Sequence, residues 1–243
     1  MPQLSDALDG PSPLLLPELA LPAQLRIVVL APHPDDFDAI GLSLRFLHRQ
    51  GHVIHVAVVT AGASGVEDGC GGAHTVAQKA ALREAEQRAS CAYFGLAPDR
   101  LAFLRLWEGG DDATDRERLR DYLRAKQPQL VFMPHGNDTN RTHRRVYESF
   151  DAIAKQDGLS LWALLNRDAK TISMRADLYT YFGEEDARWK AELLRFHRSQ
   201  QERNLRTRGQ GFDERVLAMN RESARLAGAA LPYAECFELR RYG

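Results

Sequence analysis

Residues 27 to 36, Ile27-Val28-Val29-Leu30-Ala31-Pro32-His33-Pro34-Asp35-Asp36, constrain the fold more than any other stretch of the chain. An unbroken aliphatic and β-branched run without polar alternation predicts a strand covered on both faces, as in the parallel sheet of an α/β protein. One imidazole and two adjacent carboxylates then leave the strand's carboxyl end. Open α/β sheets bind ligands at that edge, because the loops there diverge. Pro32 and Pro34 stiffen the turn. By itself His33-Pro34-Asp35-Asp36 reads equally well as a capped turn, with Asp36 satisfying amides at the start of a helix.

Strand and helix alternate from there. The pattern predicts a helix from Phe37 to Gln50 stopped by Gly51, a strand from Val53 to Thr60, and a glycine-rich loop from Ala61 to Thr75. An amphipathic helix follows over Val76 to Phe94, ended by Gly95, and then a short strand over Leu101 to Leu106. Thr114 is the expected N-cap of a helix running to about Lys126. Leu130 to Pro134 is a second buried strand, which delivers His135 to its carboxyl end. A helix over Thr142 to Lys155, strands over Leu161 to Leu165 and Leu178 to Phe182, and helices over 184 to 204 and 213 to 228 complete the pattern. Right-handed crossovers then give an α/β fold, a Rossmann-like three-layer αβα sandwich with a mostly parallel central sheet. Residues 1 to 24, broken by Pro2, Pro11, Pro13, Pro17 and Pro22, are expected to form an irregular arm. Residues 25 to 243 are expected to form a single domain, long enough to bury a sizeable core.

Composition excludes several classes. A formal net charge of -1 provides no field for nucleic acid or an anionic membrane surface. No stretch approaches the ~18 apolar residues of a spanning helix, and no basic segment precedes the N-terminal leucines as a signal peptide requires. Cys70, Cys91 and Cys236 are odd in number and lack a C-x-x-C pair, against both a disulfide framework and a thiolate zinc site. The expected setting is a reducing cytoplasm and the expected partner a small molecule, with a homo-oligomer left open.

A second polar cluster, His135-Gly136-Asn137-Asp138-Thr139-Asn140-Arg141-Thr142-His143, leaves the end of the other buried strand. If the two strand ends face one crevice, His33, Asp36 and His143 supply two imidazoles and a carboxylate, a common catalytic zinc set with one position open. The expected cofactor is Zn2+, with another divalent cation as the alternative. Asp35 then stands beside the metal but off it, placed as a general base for the attacking water. Asp138 reads as a turn residue bonding its own loop, and His135 reads either way. Arg83 and Glu86, three apart, are predicted to pair on a helix face. The basic stretch Arg195, Arg198, Arg203, Arg206 and Arg208 reads as a solvated helix end or as an anion-binding edge of the crevice.

In these residues the chain resembles the zinc-dependent LmbE-like (PIG-L-type) N-deacetylases, which share an (A/P)-H-P-D-D turn and a downstream D-x-H-x-D-H segment. The first motif is matched by Pro32-His33-Pro34-Asp35-Asp36. In the second, Asp138 and His143 are kept, while Asn140 replaces the first His and Thr142 the inner Asp. Arg83-x-x-Glu86, His197-x-Ser199-Gln200 and Ala234-Glu235-Cys236-Phe237 extend the likeness to about residue 238. The resemblance implies metal on His33, Asp36 and His143, base duty on Asp35, and support from Asp138, His135, Arg83 and His197.

It also implies removal of an N-acyl group, foremost acetyl, from an amino sugar or conjugate. Asn140 stands where the family's first His polarises the acyl oxygen or protonates the leaving amine. It can donate a hydrogen bond, worth up to ~3 kcal/mol to an oxyanion, but not a proton. Protonation of the amine then falls to Asp35 acting twice, to His135 or to His197. Phe37 replaces a family Glu, and Asp38 is the nearest substitute carboxylate. The alternative function is a non-catalytic metal-containing carbohydrate-binding protein of the same fold, against which the retained Asp35 counts. A nucleotide-binding oxidoreductase is disfavoured, because no G-x-G-x-x-G occupies the first strand-to-helix turn. Loops 61 to 75, 107 to 113 and 204 to 212 are expected to set specificity.

Overall fold

The computed structural model describes residues 4–109 and 112–243. Residues 1 to 3 of the expected arm, and positions 110 and 111 of loop 107 to 113, lie outside the described residues. In chain order the elements are α1 (Leu4–Leu8), β1 (Leu14–Leu15), β2 (Arg26–Ala31), α2 (Asp36–Ala39), α3 (Gly41–Arg49), β3 (Val53–Val58), α4 (Val76–Phe94), β4 (Leu101–Phe103), α5 (Asp112–Lys126), β5 (Leu130–Pro134), α6 (Arg141–Gln156), β6 (Leu161–Asn166), β7 (Leu178–Phe182), α7 (Glu184–Arg195), α8 (Arg198–Arg208), α9 (Phe212–Leu226) and β8 (Tyr233–Tyr242). The strands form one sheet of order β1-β7-β8-β6-β5-β2-β3-β4. Every pairing is parallel except those of β8, which runs antiparallel between β6 and β7. Helices cover both faces, so the α/β sandwich expected from the sequence is the observed fold.

The unbroken apolar runs are explained by where alternate residues go. Along β2, Ile27, Val29 and Ala31 enter a core shared with α3 and α4, through Leu44, Leu47, Cys91 and Phe94. Val28 and Leu30 enter the opposite core with α5 and α6, through Leu119, Leu123, Val146, Phe150 and Ile153. Both sides of the strand are dry, so neither tolerates a polar residue. The chain steps outward from β2 to β3 and β4 and then returns to place β5 on β2's other side, with Ile27 opposite Leu130 and Val29 opposite Phe132. That reversal is a topological switch point, and the loops leaving β2 and β5 part above it.

Several elements depart from expectation. The helix predicted over 37 to 50 is two, α2 and α3, broken at Ile40. The helix predicted over 184 to 204 likewise breaks at His197, which lies outside helical geometry with φ -83° and ψ 64°. α5 is already helical at Asp112, so Thr114 lies within it rather than capping it. β8 is not predicted at all. Its apolar pattern is interrupted by Glu235, which is buried. None of the described helices is long and apolar enough to cross a membrane.

Glu235 is tolerated because it is fully used. Its carboxylate accepts hydrogen bonds from the backbone of Leu42 and Ser43 at the start of α3, and from Lys190 Nζ at 2.6 Å. Lys190 is itself buried and also donates to Asn220 Oδ1 at 2.9 Å. The network ties β8, α7 and α9 to the helix that follows the His-Pro-Asp-Asp turn. Lys190→Met strands the carboxylate and is expected to cost ~3–5 kcal/mol, the penalty for removing one partner of a buried pair. Urea unfolding measures it, and a loss below about 1 kcal/mol would show the pair to be dispensable.

Candidate metal centre

β2 and β5 end side by side, and each hands on a turn rich in ligating groups. Asp36 Oδ2 accepts from His33 N at 2.7 Å and lies 3.2 Å from His33 Nδ1. Its other oxygen is 3.5 Å from His143 Nε2. The two imidazoles stand 5.4 Å apart, tilted by 46°. His33, Asp36 and His143 thus each present one ligand atom, all within 4.8 Å of one another. Two imidazoles and one carboxylate match the donor preference of zinc and similar divalent ions, so the residues present fit such a cation. The electrostatics draw positive charge to this cluster, a proton or a cation competing for the same ring nitrogen. Burial would raise the Asp36 carboxyl, yet His143 and His33 outweigh it and hold the group well below the carboxylate range. Burial depresses His143, but Asp36 and Asp138 carry it up to about 9.

His143 is oriented from behind. Asp138 Oδ2 lies 3.2 Å from His143 Nδ1, while Asp138 Oδ1 accepts from Asn140 N at 2.6 Å. One carboxylate therefore shapes the turn and fixes which imidazole nitrogen faces Asp36, a pairing typical of metal-binding histidines. Asn140 caps α6, its Oδ1 accepting from Thr142 N at 3.0 Å. Its amide nitrogen is the group left over for the cavity that Asn140 lines.

Asp35 occupies a backbone conformation that non-glycine residues rarely adopt, with φ 125° and ψ -23°. Such strain persists only where the surroundings impose it, and it clusters at functional sites. Here α4 imposes it. Arg83 donates to the Pro34 carbonyl and, at 3.0 Å, to Asp35 Oδ2, while Asp35 N donates to Gln87 Oε1 at 2.9 Å. Arg83 and Gln87 are one helical turn apart, so a single face of α4 grips the turn. Gly62 suits the left-handed backbone beside this turn and its close approach to Pro34. Its φ is 64°, and a Cβ there would lie 3.2 Å from Pro34 Cδ and 3.5 Å from Arg83 Nε.

The predicted Arg83–Glu86 pair does not form. Glu86 instead accepts from Ser199 N and Oγ, both at 2.7 Å, because α8 packs over this face of α4 and takes the carboxylate out of water. His197 is fully buried, with Nε2 2.7 Å from Asp38 Oδ2, and Gln87 Nε2 donates to the same oxygen at 3.0 Å. Phe37 packs edge-on to Phe94, 4.9 Å between ring centroids. His135 lies 3.4 Å from Glu238 through Nε2, accepts from Asn137 N through Nδ1, and stacks on Tyr147.

A cavity of about 440 Å3 opens over the cradle, lined by His33, Asp35, Asp36, Asn140 and His143 among others, but by neither His135 nor His197. It is also lined by Asp168, from the loop after β6, which sequence reasoning missed. Asp168 forms a second compact group with Asp138 and His143, each again offering an atom within 4.8 Å of the others. Burial raises its carboxyl above the ordinary range. The available signal was its place just past the end of a strand neighbouring β5, the same edge as both motifs.

Fold and site define a Rossmann-like α/β protein with a His/Asp cluster able to hold a cation at the switch point of its sheet. The PIG-L family, described as GlcNAc-PI de-N-acetylase, matches residues 28–154, a little over half of the chain and the span holding both motifs. The chain belongs to that family. No curated protein matches it. Among solved structures, N,N'-diacetylchitobiose deacetylase from Pyrococcus horikoshii is similar with a TM-score of 0.72 and 19% identity, over 88% of this chain and 83% of that one. GalB, the 4-carboxy-2-hydroxymuconate hydratase from Pseudomonas putida KT2440, has a TM-score of 0.65 and 19% identity, over 89% and 95%. The zinc-inhibited form of teicoplanin deacetylase Orf2 has a TM-score of 0.66 and 15% identity, over 89% and 98%. At these identities the likeness is one of fold, and the hydratase shows that this fold carries more than one chemistry.

Proposed function

We propose that the protein is a hydrolase that removes an acyl group, foremost acetyl, from the nitrogen of an amino sugar or its conjugate. The observation that carries this reading is Asp35: a carboxylate held in strained backbone at the wall of the cavity, beside the His33, Asp36 and His143 cradle but not among its donors. His33, Asp36 and His143 would hold zinc or another divalent cation, which when bound supplies Lewis-acid polarisation of the acyl carbonyl and of the attacking water. Asp35 takes a proton from that water as its oxygen bonds to the acyl carbon, and Arg83 keeps the carboxylate aimed. The Asn140 amide donates to the oxygen that gains charge. When the carbon–nitrogen bond breaks, Asp35 returns the proton to the amine, since neither His135 nor His197 lines the cavity. Proteins of this fold named as N,N'-diacetylchitobiose deacetylase and teicoplanin deacetylase support the assignment. Three cysteines without disulfides suit a cytoplasmic setting.

Acetate release from a panel of N-acetylated sugars and conjugates, on protein assayed for bound metal, tests the reading. Release is the expected result. Binding of those sugars without release would favour the non-catalytic alternative, to which the loss of the family histidine at Asn140 points. Asn140→His is expected to preserve or raise turnover, while losing ~1 kcal/mol of stability with the helix cap. Steady-state rates and a melting curve measure the two effects, and a collapse in rate would remove Asn140 from the oxyanion role.

A further inference from the structure

The cavity over the cradle carries more positive charge than its acidic end balances. Arg203 and Arg208 on α8 and Arg215 on α9 all line it, and none of the three is paired with a carboxylate among the described residues. Neighbouring arginines are matched: Arg195 with Asp213, Arg206 with Glu67, Arg225 with Glu222. What the three hold instead is neutral. Arg203 donates to the Gly65 carbonyl at 3.3 Å. Arg208 and Arg215 both donate to Asn204 Oδ1, at 3.3 and 2.7 Å. Asn204 is buried and is fixed by its own donation to the Gln200 carbonyl at 2.8 Å.

One buried amide oxygen thus draws two guanidiniums together at the cavity wall, where like charges repel. Burial and the nearness of Arg208 both lower the affinity of Arg215 for its proton. A neutral glycan needs hydrogen bonds, not adjacent cations that lack a bonded carboxylate. A shared anion relieves the repulsion and takes charge-assisted, forked bonds from both. Arg83 is not available for this, being committed to Pro34 and Asp35. Asp168 and Asp35 also line the cavity and act on Arg215, but they oppose its loss of proton affinity only in part and neither is bonded to any of the three arginines.

We infer that Arg208 and Arg215, with Arg203 at their edge, form an anion subsite for a carboxylate or phosphate carried by the substrate. Resting on the deacylation reading above, this narrows the substrate to an acidic N-acylated amino sugar or conjugate.

Calorimetric titration of the full-length protein with inorganic phosphate and with malonate tests the subsite without reference to turnover. At least one anion is expected to bind, and Arg208→Met and Arg215→Met are each expected to weaken it about tenfold, the effect of losing one charge-assisted bond. Arg49→Met removes the same charge from the exposed end of α3 and is expected to change nothing. No binding by the wild type, or equal binding by the Arg208→Met/Arg215→Met double variant, overturns the subsite. Acetate release from N-acetylglucosamine, N-acetylglucosamine 6-phosphate and N-acetylmuramic acid then separates the sources of the anion. The preferred acidic sugar is expected to show kcat/KM at least tenfold above the neutral one, with the gap closing in the double variant. A neutral sugar processed as fast as both acids overturns the subsite and leaves deacylation standing. Anion binding lost in the double variant, with no acetate from any sugar, overturns deacylation and leaves the subsite standing.

Discussion

Asp35→Ala is expected to keep bound metal and to lose turnover by roughly 10²- to 10⁴-fold, the contribution of a positioned general base. The metal is retained because Asp35 is not among the three donors grouped at the cradle. The same substitution removes the partner of a buried guanidinium and leaves alanine at a φ of 125°, so it also lowers stability. Asp35→Asn separates the two effects: it keeps the side chain's shape and an acceptor for Arg83 but cannot take a proton. Turnover in Asp35→Asn is expected to fall as far as in Asp35→Ala, with metal content unchanged and less loss of stability. Metal analysis, melting curves and steady-state kinetics on the same preparations give all three readouts. Wild-type turnover in either variant would end the case for Asp35 as base.

His143→Ala is expected to lose the metal itself. It removes one of two imidazoles and leaves Asp138 buried with no ring to orient, so affinity should fall by more than the 10- to 100-fold typical of losing an orienting partner alone. Asp138→Asn provides the comparison, since it retains the ligand but weakens its positioning, and the smaller loss is expected there. Competition against a chelator measures both. Equal metal content in His143→Ala and the wild type would remove His143 from the donor set.

Much of this arrangement was legible in the chain, and the reasons are particular. The strands at the switch point announce themselves because both faces are dry, which leaves only apolar residues in β5 and in β2 beyond Arg26. α4 is bounded by a complete capping box, Thr75 with Gln78, and by a left-handed Gly95, so its ends are local chemistry. What was illegible depends on distant partners. β8 contains a buried glutamate that makes sense only beside Lys190. Arg83 and Glu86 look like a surface pair until α8 and the Asp35 turn claim them separately. Asp168 sits in an unremarkable polar loop, and only the sheet order brings it to His143. The break at His197 follows from a buried ring held by Asp38 rather than from any stop signal in the sequence.

The order of the strands has a consequence for how this protein comes to exist. β2 and β5 are neighbours in the sheet but are separated in the chain by two strands and four helices. The three donors therefore meet only after a long loop has closed, a non-local pairing of the kind that slows folding. A short peptide carrying His-Pro-Asp-Asp has none of this geometry. On the proposed reading, grip on a divalent ion would report that tertiary closure is complete, since an ion held this way would bind the native ensemble and leave the unfolded chain unaided.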